Sequence, residues 1–170
     1  MQRVTEPELM NEPLQVDAYA NANFGKGDND FILSLESLIG SSDKKFLENS
    51  FVIDLGCGPG NISERISHKW PCLKILGIDG SELMLDKAKS RIKGEKRRLD
   101  YLCVDISSVA IGKFRPINNA DLIVSNSLLH HLHNPENLWK SVKELTSSGS
   151  LTLHRDLRRP YSYEEAIYLQ

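Results

Sequence analysis

The spacing of apolar residues changes along the chain. Phe31, Ile32, Leu35, Leu38 and Ile39 recur at helical intervals and share one face. Asp28 or Asp30 stands where a cap is needed and Gly40 where the pattern stops, so "DNDFILSLESLIG" predicts a helix. The stretch before it, "LQVDAYANANF" (14–24), is weakly helical. From residue 50 onward, short apolar runs alternate with amphipathic segments. "SFVIDL", "LKILGID", "LDYLCVD" and "DLIVSN" predict buried strands. Three helices fall among and after them. "NISERISHKW" aligns Ile62, Ile66 and Trp70. "ELMLDKAKSRI" follows a capping Ser81 and aligns Met84, Leu85, Ala88 and Ile92. "ENLWKSVKEL", opened by Asn134 and Pro135, turns Leu138, Val142 and Leu145 inward. A last strand, "SLTLHR", alternates apolar and polar residues, as befits a sheet edge.

Nearly unbroken apolar strands are expected where helices cover both faces of a sheet. Their alternation with helices implies right-handed crossovers and parallel pairing. The predicted fold class is therefore α/β, a doubly wound, mostly parallel Rossmann-like sheet in a three-layer sandwich. The predicted organisation is a flexible arm over residues 1–13 and a single domain over 14–170, with its core at 49–155 and a short tail at 156–170. Ligands of such sheets bind beyond the carboxyl ends of the strands, near the switch point of strand order.

Composition narrows the partners. A net charge of -2 gives no bulk attraction to nucleic acid, and the basic run Lys93–Arg98 reads as a solvated helix end. Cys57, Cys72 and Cys103 form neither a disulfide framework nor a metal spacing and suit a reducing, cytoplasmic setting. No apolar run approaches the ~18 residues that suggest a membrane span. A monomer or homodimer is expected.

The strand ends carry the candidate chemistry. The first ends in "DLGCGPG", where Gly56, Gly58 and Gly60 permit a tight turn and let a ligand touch the backbone. A side chain at Gly56 or Gly58 is expected to push that ligand away. The second ends at Asp79, 19 residues beyond Gly60, near the ~20-residue spacing at which an acid meets ribose hydroxyls. The third ends at Asp105, which alone reads equally well as a turn aspartate. The fourth ends at Asn126 and Ser127.

"VIDLGCGPGNIS", "ILGIDGSELMLDKAK", "LDYLCVDIS" and "ADLIVSNSLLHHLHNPENLWKSV", in this order, resemble the class I S-adenosylmethionine-dependent methyltransferases of small-molecule type. The resemblance covers roughly residues 15–155. The glycines follow D-x-G-x-G-x-G, not the dinucleotide G-x-G-x-x-G, which disfavours a nicotinamide dehydrogenase. The resemblance implies S-adenosylmethionine as cofactor. Asp54 and the backbone of Gly56, Cys57 and Gly58, in the turn closed by Gly60, would hold its methionine part. Asp79 would take the ribose hydroxyls. Gly80, Ser81 and Met84 would flank the adenine, and Asp105 and Ile106 would meet its edge. Asn126 would lie beneath the methionine tail. Tyr19 would close over the cofactor, with packing on the core as its alternative.

His130, His131 and His133 are base candidates, with packing and solvation as their alternative reading. Of the three, His131 is taken as catalytic. Nothing nearby completes a metal site with them. The Asn/Asp-Pro-Pro-aromatic motif of enzymes that methylate nucleic-acid amino groups is replaced by "SNSL", which implies a small-molecule acceptor. Relatives of this type usually add a helix and an antiparallel strand pair after the fifth strand, where this chain has only "DLRRPYSYEEAIYLQ". The sheet is thus expected to lack strands six and seven. Either "YSYEEAIYL" covers the exposed edge as a helix, or the edge pairs with a second molecule. The alternative to a methyltransferase is a truncated, non-catalytic remnant or subunit that binds the cofactor.

Overall fold

The computed structural model describes residues 9–44, 46, 48, 50–92, 98–110, 112 and 119–157. The elements are α1 (Pro13–Asn21), α2 (Gly25–Ser41), β1 (Phe51–Leu55), α3 (Asn61–Lys69), β2 (Lys74–Asp79), α4 (Glu82–Arg91), β3 (Leu99–Cys103), α5 (Ile106–Ala110), β4 (Ala120–Asn126), α6 (Glu136–Leu145) and β5 (Thr146–Arg155). The strands lie in the order β3-β2-β1-β4-β5, and every neighbouring pair is parallel. This is the doubly wound α/β sheet that the alternating pattern predicts. Strand order reverses between β1 and β4, so a crevice opens there above their carboxyl ends.

Side-chain alternation divides the core between the two faces. Val52, Leu122 and Val124 point to one side, where Phe31 and Leu35 of α2 and Ile62 and Ile66 of α3 cover them. Ile53, Leu55 and Ile123 point to the other, against Leu138 and Leu145 of α6 and Leu132 before it. All of these side chains are buried, and burying each contributes about 1.5–3 kcal/mol. Both faces of β1 are thereby fixed, and with them the position at which the glycine turn begins.

Local chemistry sets the helix ends. Ser81 caps α4 by accepting from the Met84 amide at 3.3 Å, as the sequence predicts, and its hydroxyl donates to the Met10 carbonyl at 2.6 Å. Ser81→Ala should therefore cost about 1 kcal/mol of stability, seen as a lower denaturant midpoint at unchanged slope.

Several elements depart from the sequence reading. Neither Asp28 nor Asp30 caps α2, which starts earlier, behind Phe24, after the Asn23 side chain accepts from the Gly25 amide. Asp28 instead lies buried in the first turn, 3.5 Å from Arg65 of α3. The helix also runs through Gly40 to Ser41. "LDYLCVD" reads as a buried strand, yet β3 is an edge, and only Leu99 in it is buried. α5 was not expected; Asp105 starts it.

β5 begins directly where α6 ends and is longer than "SLTLHR", with an irregular register opposite Ala120 and Leu122. Among the described residues it is the other edge, as its alternation predicts. The expected helix from Tyr161 lies outside the described residues. No helix among the described residues is long and apolar enough to cross a membrane.

Candidate functional site

A cavity of about 500 Å³ opens at the carboxyl ends of β1, β2 and β4. The glycine turn forms its floor. The amides of Gly56 and Cys57 both donate to the Ile78 carbonyl, at 2.8 and 3.1 Å, which ties the turn to β2. The next free amide, that of Gly58, donates to Asp79 Oδ2 at 2.8 Å.

The glycines of this turn differ in what forbids a side chain. Gly58 has φ +52°, and a Cβ there would meet nothing within 4 Å, because it would enter open space. At Gly56 (φ +66°), a Cβ would come within 2.6 Å of Leu128 Cδ1. At Gly56, which also lines the cavity, the packed Leu128 side chain is already an obstacle to any Cβ. Gly60 does not line the cavity; it precedes α3, where a Cβ would strike the Tyr101 hydroxyl.

Two acids face the cavity from adjacent strands. Asp79 ends β2, and its Oδ1 accepts from the Ser81 amide at 2.8 Å. Burial pushes its pKa up, against the pull of the Ser81 and Gly58 amides and of His131. Asp54 in β1 is fully buried, and Ser63 donates to its Oδ2 at 2.6 Å. Burial, seconded by the charge of Asp79, raises Asp54 to about 7, and Ser63 only partly offsets this. Asp54 has no ion-pair partner among the described residues. Asn126 ends β4, and its Oδ1 is buried with no hydrogen-bond partner among the described residues. Ser127 follows with φ +60°, an unusual conformation for a residue with a Cβ and one that recurs at functional sites.

The remaining expected residues converge on the same cavity. Met84, Gly80 and Ser81 line it beside Asp79. Asp105 and Ile106 line it from the end of β3, although both carboxylate oxygens of Asp105 already accept from Ser107, at 2.8 Å each. Tyr19 lines it from α1 and packs on Phe24 with ring centroids 4.8 Å apart. Burial, then the charges of Asp28 and Asp79, push the Tyr19 phenol up. His131 lines the cavity with His130, while His133 is exposed and lies outside it.

Sequence reading missed further contributors, Leu9, Met10 and Asp156 among them. Leu9 and Met10 line the cavity, and a Cβ on Gly80 would come within 2.5 Å of Leu9. Nothing in their polar surroundings marks them. Asp156, just beyond β5, holds His130 through a 2.7 Å contact from Nδ1 to Oδ1. Applying the strand-end rule to "SLTLHRD" would have found it.

The sequence profile of a family described as a methyltransferase domain matches residues 52–149. The chain belongs to that family. Among curated proteins, this methyltransferase domain is 34% identical over 102 residues to trans-aconitate 2-methyltransferase of Escherichia fergusonii, covering 59% of this chain and 37% of that protein. It is 39% identical over 80 residues to the Streptomyces avermitilis protein of the same name, covering 46% and 28%. The matched region thus spans well under half the length of these relatives.

Among solved structures, it superposes on the plantazolicin methyltransferase BpumL, in complex with SAH and a pentazolic desmethylPZN analog, with a TM-score of 0.68. That match has 21% identity and covers 92% of this chain and 61% of the other. Haemonchus contortus phosphoethanolamine N-methyltransferase 2, in complex with S-adenosyl-L-methionine, gives 0.63 at 20% identity, over 83% and 31%. The fold of the methyltransferase domain is common to all three.

Proposed function

We propose that this methyltransferase domain binds S-adenosylmethionine and directs its methyl group to a small-molecule acceptor. The observation that carries the reading is the orphaned Asn126 carbonyl oxygen, buried at a cavity that Asp54 and Asp79 also line. An oxygen acceptor and two acids favour a ligand with cationic groups and hydroxyls, and this cofactor has a sulfonium, an ammonium and a ribose. When bound, the cofactor supplies an activated methyl carbon and a good leaving group.

The chain supplies binding, orientation and exclusion of water. Each oxygen of Asp79 accepts one backbone amide and keeps a lone pair for a ribose hydroxyl. Asp54 is the counter-charge for the ammonium, and Asn126 presents the negative end of its dipole to the cationic tail. Gly58 allows close approach. Met84 and Ile106 offer apolar surface to the adenine, and Asp105 meets its edge. Tyr19, Leu9 and Met10 close the cavity from the N-terminal side. Fixing donor and acceptor in this way contributes up to ~7–11 kcal/mol in ideal cases. A small acceptor is supported by the cavity's size, by the net charge of -2, and by the substrate in the name of the trans-aconitate relatives.

Calorimetry tests the cofactor. S-Adenosylmethionine and its demethylated product should bind, and NAD should give no heat; the reverse would overturn the reading. Asp54 adds a pH signature. Its folded pKa of about 7 exceeds the ordinary 3.8, so between these values the folded chain keeps a proton that the unfolded chain has lost. Asp54 therefore lowers stability as pH rises through that window. A cationic ligand favours the ionised form, so affinity should increase between about pH 6 and pH 8, with proton release at the lower end. Titrations in buffers of different ionisation enthalpy measure that release. Asp54→Asn should flatten the profile, and an equally steep profile in that variant would reassign the titrating group.

A further inference from the structure

We propose that His130, held by Asp156, is the base that removes a proton from the methyl acceptor, and that the acceptor is therefore a hydroxyl or amine rather than a carboxylate. The inference rests on the methyl-transfer reading above and deepens it.

The geometry begins at the strained turn after β4. Ser127 donates its amide to the Arg155 carbonyl at 2.8 Å, which pins the turn to the end of β5. The Asp156 carboxylate then gathers three donors. Leu129 donates its amide to Oδ2 at 2.6 Å, Leu157 donates to Oδ1 at 2.7 Å, and His130 Nδ1 lies 2.7 Å from Oδ1. Two backbone amides fix the carboxylate, and the carboxylate fixes the ring. A carboxylate only accepts, so the ring proton sits on Nδ1 and the basic lone pair on Nε2. A base oriented by a third group is the arrangement that proton abstraction requires.

The neighbouring His131 is the less suitable base. Its ring packs on His130 with centroids 4.1 Å apart, and its charge acts on Asp79 at the end of β2. It therefore stands on the side of the ribose acid, whereas His130 stands toward the end of β5. Among the described residues at that end, the Arg155 guanidinium is occupied at 2.7 Å by the Gly27 carbonyl.

An acceptor carboxylate has no proton to lose near neutral pH and gains nothing from a base. A hydroxyl or ammonium-derived amine does. The acceptor lone pair forms a bond to the methyl carbon as the carbon–sulfur bond breaks. The electron pair of that bond stays on sulfur, leaving the neutral thioether. The acceptor proton passes to His130 Nε2, and the resulting imidazolium faces Asp156 until it releases the proton to water.

The test incubates the full chain with S-adenosylmethionine tritiated in the methyl group and a deproteinised metabolite extract, then treats the products with alkali. Methyl esters release labelled methanol, whereas ethers and methylamines keep the label. The expected result is alkali-stable label that falls about a hundredfold or more in His130→Gln, with calorimetric cofactor affinity unchanged as the check on folding. Asp156→Asn should lower the rate while sparing cofactor affinity, because the ring loses the group that orients it, and Asp156→Glu should restore part of the rate. Nitrogen NMR of the protein without cofactor should show neutral His130 protonated on Nδ1. Labelled methanol, an unaffected His130→Gln, a ring protonated on Nε2, or no labelled product from a chain that binds cofactor would each overturn the inference. Failure of the wild type to bind the cofactor would bring down the underlying reading as well.

Discussion

Valine at Gly58 is expected to abolish cofactor binding while the chain stays folded. At φ +52° a side chain is already costly, roughly 1–2 kcal/mol, and a β-branched one is a clear outlier. That strain falls on a surface turn and should lower the melting temperature by only a few degrees. The effect on the ligand is larger. A Cβ on Gly58 meets no protein atom within 4 Å, and Gly58 lines the cavity, so a valine there is expected to compete with the ligand for that space. The strain also disturbs the amide that Asp79 holds at 2.8 Å. Calorimetry should detect no binding in Gly58→Val and weakened binding in Gly58→Ala. Native affinity in the valine variant would show that the turn is not the cradle.

The second large effect is expected at Asp79. Asp79→Ala removes the acceptors proposed for two ribose hydroxyls, which should weaken cofactor binding by on the order of 1–3 kcal/mol, or about tenfold to a hundredfold. It also leaves the Gly58 and Ser81 amides without the partner they have at 2.8 Å. A further consequence separates this role from simple misfolding. Asp79 contributes to the raised pKa of Asp54, so its removal should shift the pH dependence of binding to lower pH. Unchanged affinity in Asp79→Ala would sink the ribose assignment.

What the sequence made legible was decided locally. Ser81 stands immediately before an apolar helical pattern, and it caps α4. The strand ends Asp54, Asp79, Asp105 and Asn126 follow short apolar runs, and the parallel sheet brings all four to one cavity. What remained hidden depends on distant partners. Asp28 looks like a cap, yet Arg65 of α3 draws it into the first turn as a buried acid. Leu102 and Cys103 look buried, but β3 is an edge, and strand order is not written in any single strand. The need for glycine at Gly56 comes from Leu128, far along the chain. Adjacent histidines cannot be ranked from sequence, because the acid that holds one of them, Asp156 beside His130, lies 26 residues away.

The strand order also bears on how the chain acquires its shape during synthesis. Val52 pairs with Ile75 on one side and with Leu122 on the other. Pairing with β2 needs only the next strand, whereas pairing with β4 needs a partner far downstream. Non-local pairings are slow, because the entropy of closing the intervening loop is lost before their contacts form. On a ribosome, the half containing β1, β2 and β3 emerges first and can assemble from neighbouring segments. Until β4 arrives, the β1 edge that faces it stays unpaired, with Val52 and Ile53 beside it, and an edge of that kind pairs readily with another chain. The interval between the emergence of β1 and of β4 is thus the period in which a nascent copy is most prone to aggregate and most dependent on chaperones. Synonymous codons that slow translation between these strands would lengthen it.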